Sequence, residues 1–536
     1  MIWNIEKPKN ERIISYAKGT SERELLKKEL ERLKKSFVEI PLIIGGKEVK
    51  TGDMIECRVP HNHSLKLGIA HLAGKEELEE AIERALDAWE KWSTMDWYHR
   101  AAIFLKAAEL LSKKYRFEVI AAIMLTQSKN PYEAEIDLAE LIDFWRFNAY
   151  YMKFIYEQQP DQHPGELNRI DWRPLEGFIL AITPFNFFSI AGNLPTAPAM
   201  VGNVVLWKPS LEVIYSNFYV MKVLKEAGLP SGVVNFVPFR HEYLEVVISN
   251  PNFAGLHFTG STKTFKFLWK EITKYLDVYK NFPRIVGETG GKDFIVVHPS
   301  ADIDVAVTAI IWGGFGYQGQ KCSAASRIYV PKSIWDKLKE KLLAEIKKIK
   351  VGPVEDFRNY MGALISEKAF KKVVSYIEYA KESDDYEIIY GGNYDSSKGW
   401  FVEPTLIISK NPKGKLMEEE IFGPVLTFYI YDDKDYEKVL ELCNETSPYG
   451  LTGSIIAKER EAIIKAEKVL RYAAGNFYIN DKPVGAIVGR QPFGGSRMSG
   501  TNDKAGWWLN LLKWLTPRTI KENLNPPTSW TLPFMS

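Results

Sequence analysis

Apolar residues recur at helical spacing through roughly the first 156 positions, after which the pattern changes to short apolar runs. Leu26, Leu30, Leu33 and Phe37 fall three to four residues apart and predict an amphipathic helix. Ser21 followed three residues later by Glu24 reads as its capping box. A short strand is expected in "IPLIIGG". Leu78, Ala81, Ile82, Ala85, Leu86 and Trp89 mark another amphipathic helix, and "AAIFLKAAELLSKKY" and "AELIDFWRFNAYYMKFIY" continue the helical run. From about residue 177, "GFILAIT", "NVVLWKPS", "VVNFVPF" and "GLHFTGS" read as strands with helical segments between them. A second alternating block runs through "DFIVVHP", "SRIYVPK", "LTFYIYD" and "GSIIAKE". Strands alternating with helices predict βαβ units and parallel sheets, whose ligands sit beyond the carboxyl ends of the strands. "GETGG", residues 287 to 291, stands between the blocks as a turn or hinge, and the polar, proline-marked stretch from 158 to 175 reads as an excursion.

One run, residues 177 to 207, is long and apolar, but Pro184, Pro195 and Pro198 with Asn186, Asn193 and Asn203 interrupt it. A spanning helix needs about 20 mostly apolar residues with internally bonded backbone. A strand, a loop, a helix and a second strand are therefore expected, and no membrane partner. Composition agrees: 46% hydrophobic, 26% charged and a formal charge of +2 over 536 residues predict a soluble protein of two or three units without a nucleic-acid partner. The N-terminal stretch carries charges of both signs, with no apolar signal run and too much acid for a transit peptide, so a cytoplasmic location is expected. Cys57, Cys322 and Cys443 are too far apart in sequence for a disulfide framework or a zinc cluster. The "HNH" at 61 to 63 has no ligand partners at metal spacing and is expected in a surface loop.

Several short motifs carry chemistry. "FTGST", residues 258 to 262, follows a strand and opens a helix, whose N-terminus offers a phosphate seat, although simple capping explains it equally. Lys208 in "LWKPS" ends a buried strand within reach of a ribose or phosphate, or is merely solvated. No G-x-G-x-x-G fingerprint accompanies them. Glu288 sits between glycines in "GETGGK". Cys322 sits in "GYQGQKCSAASR", a small-residue setting unlike the apolar core that a free cysteine usually prefers. A thiolate is the nucleophile, and a carboxylate beside it acts as a general base rather than as a charge that lowers its pKa. Asn186 in "TPFNFF" supplies an amide able to donate to an oxyanion, or is a buried asparagine satisfied by backbone.

Taken in order, "ITPFNFF", "LWKPS", "FTGST", "GETGGK", "GQKCSA", "EEEIFGPV" and "PFGGSRMSGTN" resemble the successive signatures of the aldehyde dehydrogenase superfamily. Seven ordered matches are far more specific than any one of them. "QSKNPYEAEIDLAELIDFWRFNAYY", "GETGGKDFIVVHPSADID" and "GRQPFGGSRMSGTNDKAG" are most similar to the branch that oxidises the semialdehyde of glutamate, formed from 1-pyrroline-5-carboxylate, to glutamate in proline breakdown. The resemblance implies that Cys322 attacks the aldehyde, that Asn186 and the Cys322 N–H hold the oxyanion, and that Glu288 activates the water that releases the acid.

It also implies a cofactor site for NAD, with NADP as an alternative. Lys208 and Ser210 would lie at the adenine ribose, Gly260 and Ser261 at the pyrophosphate, and Glu420 and Phe422 at the nicotinamide end. Leu211 stands where the family usually has an acid, with Glu212 one position on, which leaves the choice of dinucleotide open. For the substrate, an anchor loop of Gly495 and Ser496, with Ser323, would grip the carboxylate. Glu135 would face the ammonium group and Phe185 would form an aromatic wall. No metal is implied. The fold implied is α/β: a Rossmann-type parallel-sheet dinucleotide domain (1–154 and 176–286), an α/β catalytic domain (287–475) and a small oligomerisation flap (155–175 and 507–536). Residues 476–506 return to the cofactor domain, and a homo-oligomer, dimer or larger, is implied. Alternatives are a dehydrogenase for another carboxylated semialdehyde such as succinate semialdehyde, a thiol hydrolase, and a non-catalytic protein on the same fold.

Overall fold

The computed structural model describes residues 4–535. The first helix is Ser21–Lys34, and it buries Leu26, Leu30 and Leu33. Its N-cap is Thr20, whose hydroxyl accepts from Arg23 N, so the capping position lies one residue before the Ser21 expected; Phe37 falls beyond the helix and is exposed. Helices Lys75–Trp92, Trp97–Lys113, Arg116–Gln127 and Pro131–Tyr156 follow and share one large core with the first sheet.

That sheet has seven strands in the order Arg284–Glu288, Phe253–Thr259, Phe178–Ile182, Val204–Lys208, Val234–Phe236, Leu42–Ile44, Lys47–Val49. The first five run parallel, and the hairpin Leu42–Ile44 and Lys47–Val49 adds antiparallel at one edge. The apolar run from 177 resolves into strand Phe178–Ile182, helix Phe188–Met200 and strand Val204–Lys208. Two prolines lie inside that helix rather than breaking it. Pro198 has no N–H for the Leu194 carbonyl. The His257 ring donates to that carbonyl from Nδ1 at 2.8 Å, and burial lowers the histidine to about 4, so the ring is neutral. Asp137 caps the start of the same helix, accepting from Phe188 N and Ser189 N at 2.9 Å each.

The second sheet also has seven strands, in the order Tyr386–Tyr390, Thr405–Ser409, Val425–Tyr431, Ala325–Pro331, Asp293–Val297, Thr452–Ile456, Asn476–Ile479. All are parallel except the antiparallel edge strand Tyr386–Tyr390. Along its central strand, Ile295 and Val297 enter one core while Phe294 and Val296 enter another, because successive side chains point to opposite faces and both faces are covered. The polar stretch near 165 forms strand Glu166–Pro174, which pairs antiparallel with the C-terminal strand Leu515–Asn523 along nine residues, from Leu515 opposite Pro174 to Asn523 opposite Glu166. No helix among the described residues is long and apolar enough to cross a membrane.

Candidate active site

Cys322 lies between helix Ile303–Phe315 and strand Ala325–Pro331. The turn leading to it is contorted: Tyr317 and Gln318 have φ of 52° and 55°, left-handed values that non-glycine residues rarely adopt. The surroundings hold them there. Gln318 Nε2 donates to the carbonyls of Ser128 and Ala363 at 2.9 Å each, and the buried Tyr317 ring stacks under the Lys129 ammonium at 4.5 Å. Gly319 follows at φ 67°, where a Cβ would lie 2.4 Å from the Gly423 carbonyl oxygen. These contacts hold the loop in its left-handed conformation.

Cys322 lines a cavity of about 950 Å³ together with Glu288, Ser323, Lys321 and Phe187. Burial pushes the thiol well above its ordinary value, and the carboxylates of Glu288, Asp293 and Glu420 push it further, against a backbone N–H at Ser323. The resting nucleophile is therefore the thiol, which needs a base. Glu288 ends the edge strand Arg284–Glu288, and residues 498 to 501 lie along its open side: Thr501 N donates to Gly287 O and Thr289 N to Ser499 O, both at 2.9 Å. Burial raises Glu288 to about 8, with Lys504 opposing the rise. Its Oε1 has no hydrogen-bond partner and is free to take a proton. Asn186 is buried and donates one amide hydrogen to the Gln320 carbonyl at 3.1 Å, which ties it to the nucleophile loop and leaves the second hydrogen available.

None of the residues expected at the dinucleotide lies on that cavity wall. Lys208 ends strand Val204–Lys208, its ammonium 5.2 Å from the Phe239 ring centre, and burial lowers it against Glu212. Ser210 donates its hydroxyl to the Glu212 carboxylate, so the displaced acid still stands beside Lys208. A cation at the end of this strand and a carboxylate in the short helical turn Leu211–Val213 that follows it suit a ribose diol. Gly260 N donates to the Glu288 carbonyl at 3.1 Å, and Ser261 uses its hydroxyl to cap helix Thr262–Thr273, accepting from Thr264 N at 3.1 Å. Glu420 accepts from Gly291 N at 2.9 Å, and Phe422 is held at φ 63°. This donor set fits a nicotinamide dinucleotide.

Four substrate expectations are corrected. Glu135 is fully buried away from the cavity, where it accepts from Arg116, from Ile14 N at 2.9 Å and from the Tyr16 hydroxyl at 2.6 Å. It anchors the N-terminal arm. Phe185 packs edge-on against Phe422, ring centres 5.8 Å apart, and Phe187 is the aromatic on the cavity wall. Ser496 spends its hydroxyl on the Tyr472 carbonyl at 3.1 Å, because strand Ser496–Arg497 pairs with Tyr449–Gly450. Gly495 is off the cavity wall, and its N–H lowers the Glu288 carboxyl. The glycine-containing loop that does line it is Gly485 to Val488, with Gly485 at φ 85°. The "HNH" expectation also changes, since His61 is buried between Ser128 at 3.0 Å and Glu355 at 3.1 Å.

Residues missing from the sequence reading stand on one face of helix Pro131–Tyr156. Glu133, Asp137, Glu140 and Asp143 recur at helical spacing and all line the cavity. Glu140 accepts from the Ser189 hydroxyl, and burial lifts it to about 7. Four acids on one face of a largely apolar helix were a legible signal.

A model of the aldehyde dehydrogenase family matches residues 48–520. The mitochondrial delta-1-pyrroline-5-carboxylate dehydrogenase of Dictyostelium discoideum is 50% identical, covering 99% of this chain and 96% of its own. The mitochondrial human enzyme of the same name is 46% identical, covering 98% and 94%. The crystal structure of the delta-pyrroline-5-carboxylate dehydrogenase of Mycobacterium tuberculosis bound with NAD superposes with a TM-score of 0.97 at 47% identity, covering 100% of this chain and 99% of that one. The cytoplasmic location expected from the sequence is overturned, because the Dictyostelium and human relatives are named mitochondrial. With a family model across most of its length and near-complete superposition on a dinucleotide-bound relative, the chain belongs to the aldehyde dehydrogenase family.

Proposed function

We propose that this enzyme oxidises L-glutamate γ-semialdehyde, the open form of 1-pyrroline-5-carboxylate, to L-glutamate in proline catabolism. The observation that carries the reading is a cavity joining Cys322 and Glu288 to the Glu140 carboxylate, supported by relatives named for this substrate over nearly the whole chain. In this scheme water takes the Cys322 proton as the sulfur adds to the aldehyde carbon, and Glu288 serves the later hydrolysis. The Asn186 amide and the Cys322 N–H stabilise the oxyanion. NAD+, when bound, supplies the hydride acceptor. The resulting Cys322 thioester is hydrolysed by a water that Glu288 deprotonates. Glu140 faces the substrate ammonium group, and the Gly485 to Val488 loop with Ser323 faces its carboxylate.

Lys208, Ser210, Glu212, Gly260, Ser261, Glu420 and Phe422 are assigned to the dinucleotide. Glu212 beside Lys208 favours NAD, since a carboxylate there repels a 2′-phosphate. The domain boundaries given above are part of the same proposal, supported by the two sheets lying within residues 42–288 and 293–479. So is a homo-oligomer built on the ribbon of Glu166–Pro174 with Leu515–Asn523, beyond which Leu524, Trp530, Leu532 and Phe534 are exposed.

A panel of aldehydes assayed with NAD and NADP tests this. Preference for glutamate semialdehyde with NAD is expected. Equal or better turnover of succinate semialdehyde would sink the substrate assignment.

A further inference from the structure

Lys504 has no part in the chemistry above, yet it lines the same cavity as Glu288 and opposes the rise of that carboxyl by its charge. The residue sits in a left-handed conformation at φ 53°, two positions after Asn502 at φ 56°. Paired bonds between Phe493 and Ala505, N to O at 3.0 Å and 2.8 Å, clamp this segment against the "PFGGS" turn. The Lys504 ammonium then donates to the carbonyls of Gly475 at 2.8 Å and Gly494 at 3.0 Å.

The Gly494 carbonyl and the Gly495 N–H belong to one peptide group. Its oxygen end accepts from Lys504, and its N–H end faces the Glu288 carboxylate. A cation at the oxygen polarises the amide and makes its N–H a better donor, since linked hydrogen bonds strengthen one another in a low dielectric. We propose that Lys504 is a positioning residue for the general base. Its ammonium, directly and through the Gly494–Gly495 peptide, stabilises the charged Glu288 carboxylate that the hydrolytic half-reaction requires. This also gives the two glycines of "PFGGS" a purpose, since they bring one peptide between the two side chains.

The other charged groups around Glu288 do not serve the same end. Asp503 opposes ionisation, and it is itself paired with Lys513 at 3.0 Å and bonded by the Thr501 hydroxyl. Cys322 is a neutral thiol at rest. Among the described residues Lys504 is the group whose charge favours the carboxylate, and burial lowers the lysine while Glu288 raises it.

The inference rests on the proposed oxidation, and the assay separates the two. Rapid mixing of enzyme, aldehyde and NAD+ resolves the first turnover of NADH from the steady state. In Lys504→Met the first turnover is expected to persist while the hydrolysis-limited rate falls about tenfold at pH 7. Its rising pH limb should move about one unit to the alkaline side, a tenfold effect being one pKa unit. Lys504→Gln, which keeps a donor for the Gly494 carbonyl without the charge, should show the same shift. Lys504→Arg should restore the limb. Equal loss of both phases with an unmoved pH limb would overturn the proposal, as would a Lys504→Gln enzyme with the parent profile. If Lys504→Met does not fold, the contrast between Gln and Arg decides it. A parent enzyme that forms no NADH in the first turnover would overturn the oxidation itself.

Discussion

Lys321 and Glu133 form a buried two-point ion pair, the lysine nitrogen 2.9 Å from Oε1 and 2.8 Å from Oε2, one residue before the nucleophile. Glu133 stands in the first turn of helix Pro131–Tyr156, and Asp137 one turn on holds Lys129 at 2.7 Å and caps the helix that follows Asn186. One helix thus registers both the Cys322 loop and the segment that carries Asn186. Removing one partner of a buried pair strands a charge and costs about 3–5 kcal/mol. Lys321→Met is expected to lower the unfolding free energy by that order and to slow turnover with it, as denaturant melts and kcat will show.

Cys322→Ser should abolish aldehyde oxidation while dinucleotide affinity, measured by fluorescence titration, stays near the parent value. Oxidation that persisted in this variant would exclude the thiol mechanism.

Asn186→Ala removes one of the two oxyanion donors proposed above, and such losses typically cost about 10²–10³ in kcat. The expected fall is toward the lower end, because the Cys322 N–H remains. Unchanged kcat with raised KM would place Asn186 in binding instead.

Glu288 is raised to about 8 by burial, so it is protonated and idle as a base at lower pH. Steady-state kcat is expected to climb as pH rises toward 8 and level above it. The same shift has a stability consequence of opposite sign. A folded-state value above the unfolded one favours folding below the unfolded pKa, near 4.3, and that contribution fades as pH rises through about 8. Glu288→Gln should therefore abolish hydrolysis yet melt at a higher temperature than the parent at pH 8.

Glu135 and Glu140 lie five residues apart on one helix and should separate cleanly. Glu140→Gln is expected to raise KM for glutamate semialdehyde with little change in melting temperature. Glu135→Gln should lower the melting temperature, because Arg116, Tyr16 and Ile14 lose their shared acceptor. The reverse pattern would return Glu135 to the substrate site.

Periodicity sufficed for the main helices and for most strands of the two large sheets, because it reflects burial along one chain segment. It missed strands Met54–Val59, Asn62–His71 and Glu166–Pro174. Leu26, Leu30 and Leu33 at helical spacing, and Phe294 to Val297 alternating between two cores, are local consequences of helix and strand geometry. Motif order is equally legible: Asn186, Glu288 and Cys322 stand out in the sequence by their chemistry and lie around one loop and one strand end. The substrate wall was not legible in the same way. Glu135 and Glu140 are both acids on one helix, and which of them meets the cavity depends on where the N-terminal arm and helix Phe188–Met200 pack. Ser496 and Gly495 sit in a glycine turn suited to an anion, but pairing with Tyr449–Gly450 turns them elsewhere and leaves the wall to Gly485 and its neighbours. Local sequence sets which residues can bury, cap or react. The facing of a side chain is set by contacts between segments hundreds of residues apart, and those exist only once the two sheets and the arm have come together.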